Sequence, residues 1–179
     1  DTFNNRVLRF PPGAQQADLV LGQPDFTSSG CAVNGPLDRM CTPTLARVHP
    51  ETGDLYVLDE YPAPFRVRLL AFTAPFTNGM SATRMITPDQ DGPFTNWGGL
   101  DGQGTYIFQS TGFVFNTYKE GAYADGEIWL NEHSANRTLL IDLDGHILDV
   151  VGAPDKYSRG GDTNFIHCSA DIYTGDYVW

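Results

Sequence analysis

Apolar residues along this chain come in short runs separated by turns rich in glycine, proline and aspartate, and nowhere do they recur with a helical period. Three of these runs share one form. Glu51–Val57 (ETGDLYV) recurs as Tyr173–Trp179 (YTGDYVW) and more loosely as Ala124–Leu130 (ADGEIWL), each a turn leading into a strand. After two of them comes an acid or amide, a polar loop and an arginine that opens a second strand: Asp59 and Arg66 in LDEYPAPFRVRLLAF, Asn131 and Arg137 in LNEHSANRTLLIDL. The third partner lies at the other end of the chain, where DTFNNRVLRF supplies Asp1 and Arg6 in the same register. A further strand closes each unit on Pro-Asp, in DLVLGQPD, TRMITPDQ and LDVVGAPD, and a fourth precedes the glycine turn, in TLARVH, FIHCSAD and GFVFNTY.

The pattern therefore predicts an all-β chain of about three four-stranded units, the geometry of radial blades in a β-propeller. Blade one takes residues 165–179 together with 1–26, blade two 43–92 and blade three 111–158, with an insertion at 96–110. Asp142–Leu148 (DLDGHIL) reads as an Asp-Gly hairpin between the last two strands of blade three. Three blades do not close a ring, so the strand Thr174–Trp179 is expected beside an NNRVLRF strand, supplied through missing sequence or by a second copy of the chain. Unpaired edges of this kind otherwise invite uncontrolled strand addition.

At TGDLYVLD, NNRVLRF and ADLVLGQPDF the chain resembles the NHL-repeat β-propellers of secreted or surface bacterial proteins. The resemblance is close over 1–26, 43–72 and 165–179 and looser over 111–155. It departs from the family at Asn96–Ser110, at Asn131 where an aspartate is expected, and at the PAPF loop before Arg66. It implies a six-bladed ring, completed by the remaining blades of a longer chain or by self-association, and an extracellular or cell-surface location. Some related propellers are hydrolases or lyases with a metal in the central channel; by that resemblance His167 and Asn116 would be the ligands to consider, without a third in register.

Composition narrows the partners. Of 179 residues 41% are hydrophobic and 12% aromatic, enough to bury a core. The 22 acidic residues against 11 basic ones give a net charge of -11. Such a chain repels polyanions, and Arg66 and Arg68, on one face of a strand, are too few to reverse that, so no nucleic-acid partner is expected. No apolar run reaches the length of a membrane span, and the first residues read as the start of a mature or excised piece. Cys31 and Cys41 bracket a polar, turn-rich segment and are expected to form a disulfide in an oxidising compartment, leaving Cys168 over.

The candidate chemistry is sparse. Asp1 with Arg6, Asp59 with Arg66 and, uncharged, Asn131 with Arg137 recur between units, which marks them as structural pairs rather than catalytic groups. None of His49, His133, His146 and His167 has a companion at metal-ligand spacing, and His167 and Cys168 point to opposite sides of one strand. DLDGH and DQDG open like calcium loops but lack the downstream acid, since Ala153 stands where it would fall. No cofactor is predicted; calcium or zinc are the metals to consider. Asn136–Thr138 forms a glycosylation sequon overlapping the repeat arginine. Trp97, Tyr106, Phe108, Tyr118 and Tyr123 gather around the insertion, where aromatic side chains on a rim would stack on a glycan or anchor a protein. The favoured reading is a non-enzymatic binding or structural module acting through loops 27–42 and 96–110 and through blade edges; the alternative is a metal-dependent hydrolase or lyase.

Overall fold

The computed structural model describes residues 1–31, 37–61, 66–86, 110–116, 128–132 and 137–154, leaving aside the side chains of Tyr61, Arg66, Val67, Ser110, Thr111 and Glu132. Among these residues the chain is all-β apart from one 3-10 turn at Thr2–Asn4. The expected strands of FIHCSAD and TGDYVW, the insertion at 96–110, and Cys168 lie outside the described residues.

Among the described residues three antiparallel sheets form, and none of them closes on itself. β1 (Val7–Arg9) pairs with β2 (Leu19–Leu21), with Leu8 opposite Val20. A four-stranded sheet runs in chain order through β3 (Pro43–Val48), β4 (Leu55–Tyr61), β5 (Arg66–Phe72) and β6 (Arg84–Ile86). A second follows the same order through β7 (Ser110–Phe115), β8 (Ile128–Glu132), β9 (Arg137–Ile141) and β10 (Ile147–Val151). These strands fall where the repeat pattern predicts strands: β4 and β8 follow the glycine turns, and β5 and β9 start at the repeat arginines.

Sequence character follows position in the sheet. Interior β9 is buried at all five residues, the polar Arg137 and Thr138 followed by the apolar Leu139, Leu140 and Ile141, whereas outer β3 alternates and leaves Thr44, Ala46 and Val48 exposed. Both four-stranded sheets also carry a bulge at the same place. The register shifts between Pro43, opposite Asp59, and Leu45, opposite Leu58; it shifts again between Ser110, opposite Glu132, and Gly112, opposite Asn131.

The chain divides into two compact units, Asp1–Pro64 with Arg68–Met85, and Phe65–Val67 with Ile86–Trp179. In the first, Leu19, Leu21, Met40, Val57, Leu70, Phe72 and Ala82 form a buried cluster joining the β1–β2 pair to the neighbouring sheet. In the second, Phe113 meets Phe115 edge-on at 5.8 Å, while Ile128, Leu130 and Leu139 are fully buried.

The turn Thr77–Met80 finishes the first unit. Its Asn78 Oδ1 accepts the Val20 N–H at 2.8 Å, and its Gly79 N–H donates to the Val20 carbonyl at 3.0 Å. The free edge of β2 is thereby capped. Only glycine fits at position 79, where φ is +71° and a Cβ would lie 2.6 Å from the Pro24 carbonyl oxygen.

Candidate functional site

The connection from the end of β2 to the start of β3, residues 26–42, is held more firmly than its exposed, polar sequence suggests. Arg6 donates through Nε to Asp1 Oδ2 at 2.8 Å and through a second nitrogen to the Phe26 carbonyl. Asn5 Nδ2 reaches the Ser29 carbonyl at 2.7 Å, and the buried Gln23 Nε2 bonds the carbonyls of Asn5 and Gly30, both at 3.0 Å. At the far end Arg68 Nε donates to Asp59 Oδ2 at 2.9 Å, and its outer nitrogen to the Arg39 carbonyl at 2.6 Å. The other Asp59 oxygen accepts the N–H groups of Cys41 and Thr42, each at 2.9 Å. A disulfide joins Cys31 to Cys41, and the Leu37 carbonyl accepts the Ala82 N–H at 2.7 Å.

Asp25 shapes the entry. One of its oxygens takes the Thr27 hydroxyl and the N–H groups of Thr27 and Ser28 at 2.7 to 2.8 Å. The Thr27 hydroxyl and these amides stabilise the carboxylate and hold its pKa at about 2. On this fixed frame Phe26 and Leu37 are exposed at 39% and 36%, among hydroxyls and the carboxylates of Asp25 and Asp38. Such a surface pairs apolar contact area with hydrogen-bonding groups.

The repeat pairs are placed differently from one another. Asp1 and Arg6 come together, but Asp1 opens the 3-10 turn, where its carboxylate also accepts from Asn4 Nδ2 at 2.8 Å. Asp59 lies within β4 and is paired with Arg68, two residues beyond the expected Arg66; both side chains are buried, at 0% and 4% exposure. Burial pushes the Asp59 carboxyl up against the pull of the guanidinium and the two amides. Asn131 and Arg137 are buried, yet Asn131 stands opposite Thr138, and it is Glu132 that faces Arg137 across the strands. The shared bulges likewise align Asp59 with Glu132. Equal spacing from Gly53 to Asp59 and from Gly126 to Glu132 was the signal for that alignment.

Elsewhere, His49 is buried in the turn between β3 and β4, where its Nδ1 accepts the N–H groups of Glu51 and Thr52 at 3.3 Å. His146 is exposed and bonds Asp142 through Nδ1 at 2.8 Å. Partial burial would raise the Asp142 carboxyl, but the His146 ring and the amides of His146 and Asp144 outweigh it and hold it below its ordinary value. Asn116 is buried. No three His, Cys, Asp or Glu side chains converge as a metal group among the described residues, and none of their helices is long and apolar enough to cross a membrane. His167, Trp97, Tyr106, Phe108, Tyr118 and Tyr123 lie outside the described residues. Compared with models of protein families the chain finds no match, and no curated protein proves similar to it.

Proposed function

We propose that this chain is a segment of an NHL-type β-propeller that works as a non-enzymatic extracellular binding module. The 26–42 connection is its contact surface for a protein or glycan, and its blade edges complete the ring by association. One observation carries the reading: this exposed connection is anchored at both ends by arginine-carboxylate pairs and crossed by a disulfide, while Phe26 and Leu37 stay on the outside. Flanks held in advance lose little entropy on binding, and an exposed aromatic on them supplies contact area to a sugar face or an apolar side chain. The disulfide fits an oxidising compartment.

The test is a glycan array and a displayed-peptide library probed with the purified chain and with the Phe26→Ala, Leu37→Ala double variant. Saturable binding by the parent and its loss in the variant support the reading. Binding that is absent or unchanged in the variant sinks it. Elemental analysis of the same preparation distinguishes the other class: one tightly held metal per chain together with hydrolytic or lyase activity replaces the binding module with a metal-dependent enzyme.

A further inference from the structure

The buried edge of β2 and the turn seated on it each have a counterpart elsewhere in the chain, with nothing upon either among the described residues. Thr77–Met80 is a four-residue turn closed by Met80 N–H on the Thr77 carbonyl at 3.2 Å, with a left-handed glycine third, Gly79 at φ +71°. Pro11–Ala14 is closed the same way, by Ala14 N–H on the Pro11 carbonyl at 2.9 Å, with Gly13 third at φ +76°. Each follows the arginine-led strand and precedes the last strand of its unit. Gly79 is packed against Pro24, whereas a Cβ on Gly13 would meet no atom within 4 Å, and the Gly13 N–H donates to nothing among the described residues.

The receiving edge repeats as well. In β2, Leu19-Val20-Leu21 leads to Gly22 (φ +80°) and then Gln-Pro-Asp; in β10, Asp149-Val150-Val151 leads to Gly152 (φ +93°) and then Ala-Pro-Asp. All of β2 is buried, while β10 leaves Leu148 and Val151 exposed at 47% and 37%. Val150 occupies the place of Val20. Its N–H donates to Asp149 Oδ1 at 2.7 Å, and in an antiparallel strand the carbonyl of a residue faces the same side as its N–H.

The two open halves are complementary. On β2 the strand N–H takes its acceptor from Asn78 of the turn; β10 brings its own acceptor in Asp149, and Pro12, which offers none, stands at the Asn78 position of the open turn. The geometry points to a second copy of this chain as the partner: the Pro11–Ala14 turn of one copy docks on the outer edge of β10 of the other, Gly13 N–H donating to the Val150 carbonyl. Two copies exchanging turns satisfy both ends, each giving one turn and receiving one. This rests on the proposed association of blade edges and names its partner.

Sedimentation velocity of the full chain across a dilution series tests it, together with amide hydrogen exchange at Gly13. The expected result is a particle of twice 19.7 kDa whose Gly13 amide exchanges more slowly as the dimer fills. Gly13→Ala converts it to monomer, because the new methyl strikes the Pro154 carbonyl as it would strike Pro24 from position 79. Gly53→Ala, with an equally left-handed φ of +76° and open surroundings, leaves the dimer intact. Leu148→Lys, at an exposed position, weakens it without a glycine change. A monomer at every dilution, or a dimer that Gly13→Ala leaves whole, overturns the inference. A monomer that still binds through Phe26 and Leu37 overturns it alone; a dimer without such binding overturns only the binding module.

Discussion

Replacing Arg68 by methionine removes the cation from a carboxylate with no access to water. Asp59 then keeps two amide bonds, from Cys41 and Thr42, but loses the guanidinium on its other oxygen. A buried carboxylate in that position protonates rather than remain charged. Neutralising an aspartate at pH 7 from an unfolded pKa near 3.9 costs about 4 kcal/mol, at about 1.4 kcal/mol per pH unit. This agrees with the roughly 3 to 5 kcal/mol that follows from breaking one side of a buried pair. The Arg39 carbonyl also loses its donor, worth about 1 kcal/mol more.

The sign gives the prediction its edge. A carboxyl whose folded pKa is raised contributes stability that is complete below the unfolded value and lost as pH rises through the folded one. The burial effect already raises Asp59 in the parent, and removing Arg68 raises it further. Measured against a parent whose own carboxyl is already raised, the deficit of Arg68→Met is therefore at most about 4 to 5 kcal/mol at pH 7 and shrinks to about 1 kcal/mol near pH 4. Urea denaturation of parent and variant between those pH values measures it; in thermal melts at pH 7 the midpoint drops by up to roughly 8 to 20 °C. A deficit that is flat with pH, or below about 1 kcal/mol at neutrality, refutes the buried pair as the clamp on residues 39–42.

Breaking the Cys31–Cys41 bridge with a Cys31→Ser, Cys41→Ser double variant lowers unfolding free energy by about 3 kcal/mol for a loop of this length, checked by chemical denaturation. Asp25 titrates at about 2 in carboxyl-detected NMR; its hold on the Thr27–Ser28 turn is present above the ordinary aspartate value and fades as pH falls from there through 2, and titration near 4 removes the turn from solution. Asn78→Ala strands the Val20 N–H at a buried edge and costs about 1 to 3 kcal/mol, with faster amide exchange at Val20; unchanged exchange there contradicts the cap.

The strands and their antiparallel order were legible because turn chemistry and alternation are local: glycine after an acid or threonine, an arginine opening the next strand, Pro-Asp after the last. The same locality hid the partner of Asp59. Alternate residues of a strand share a face, so Arg66 and Arg68 were equivalent in pattern, and burial together with the Arg39 carbonyl decides for Arg68. The β8–β9 register runs unbroken and sets Glu132 rather than Asn131 opposite Arg137, while the bulges near Thr44 and Thr111 bring Asp59 and Glu132 to equivalent places in their sheets. The clamped connection was visible only as a polar loop bracketed by cysteines. Its anchors come from Arg6, Gln23 and Arg68, distant in sequence from the segment they secure, and no periodicity encodes such contacts.

Because the connection is fastened at Phe26, Ser29 and Gly30 on one side and at Arg39, Cys41 and Thr42 on the other, its ends stay in place whatever lies between them. Lengthening a loop whose ends are already fixed costs little, about 0.6 kcal/mol for each doubling. Foreign epitopes spliced between Cys31 and Leu37 begin and end at points these bonds hold in place, which makes this the natural graft point of the molecule.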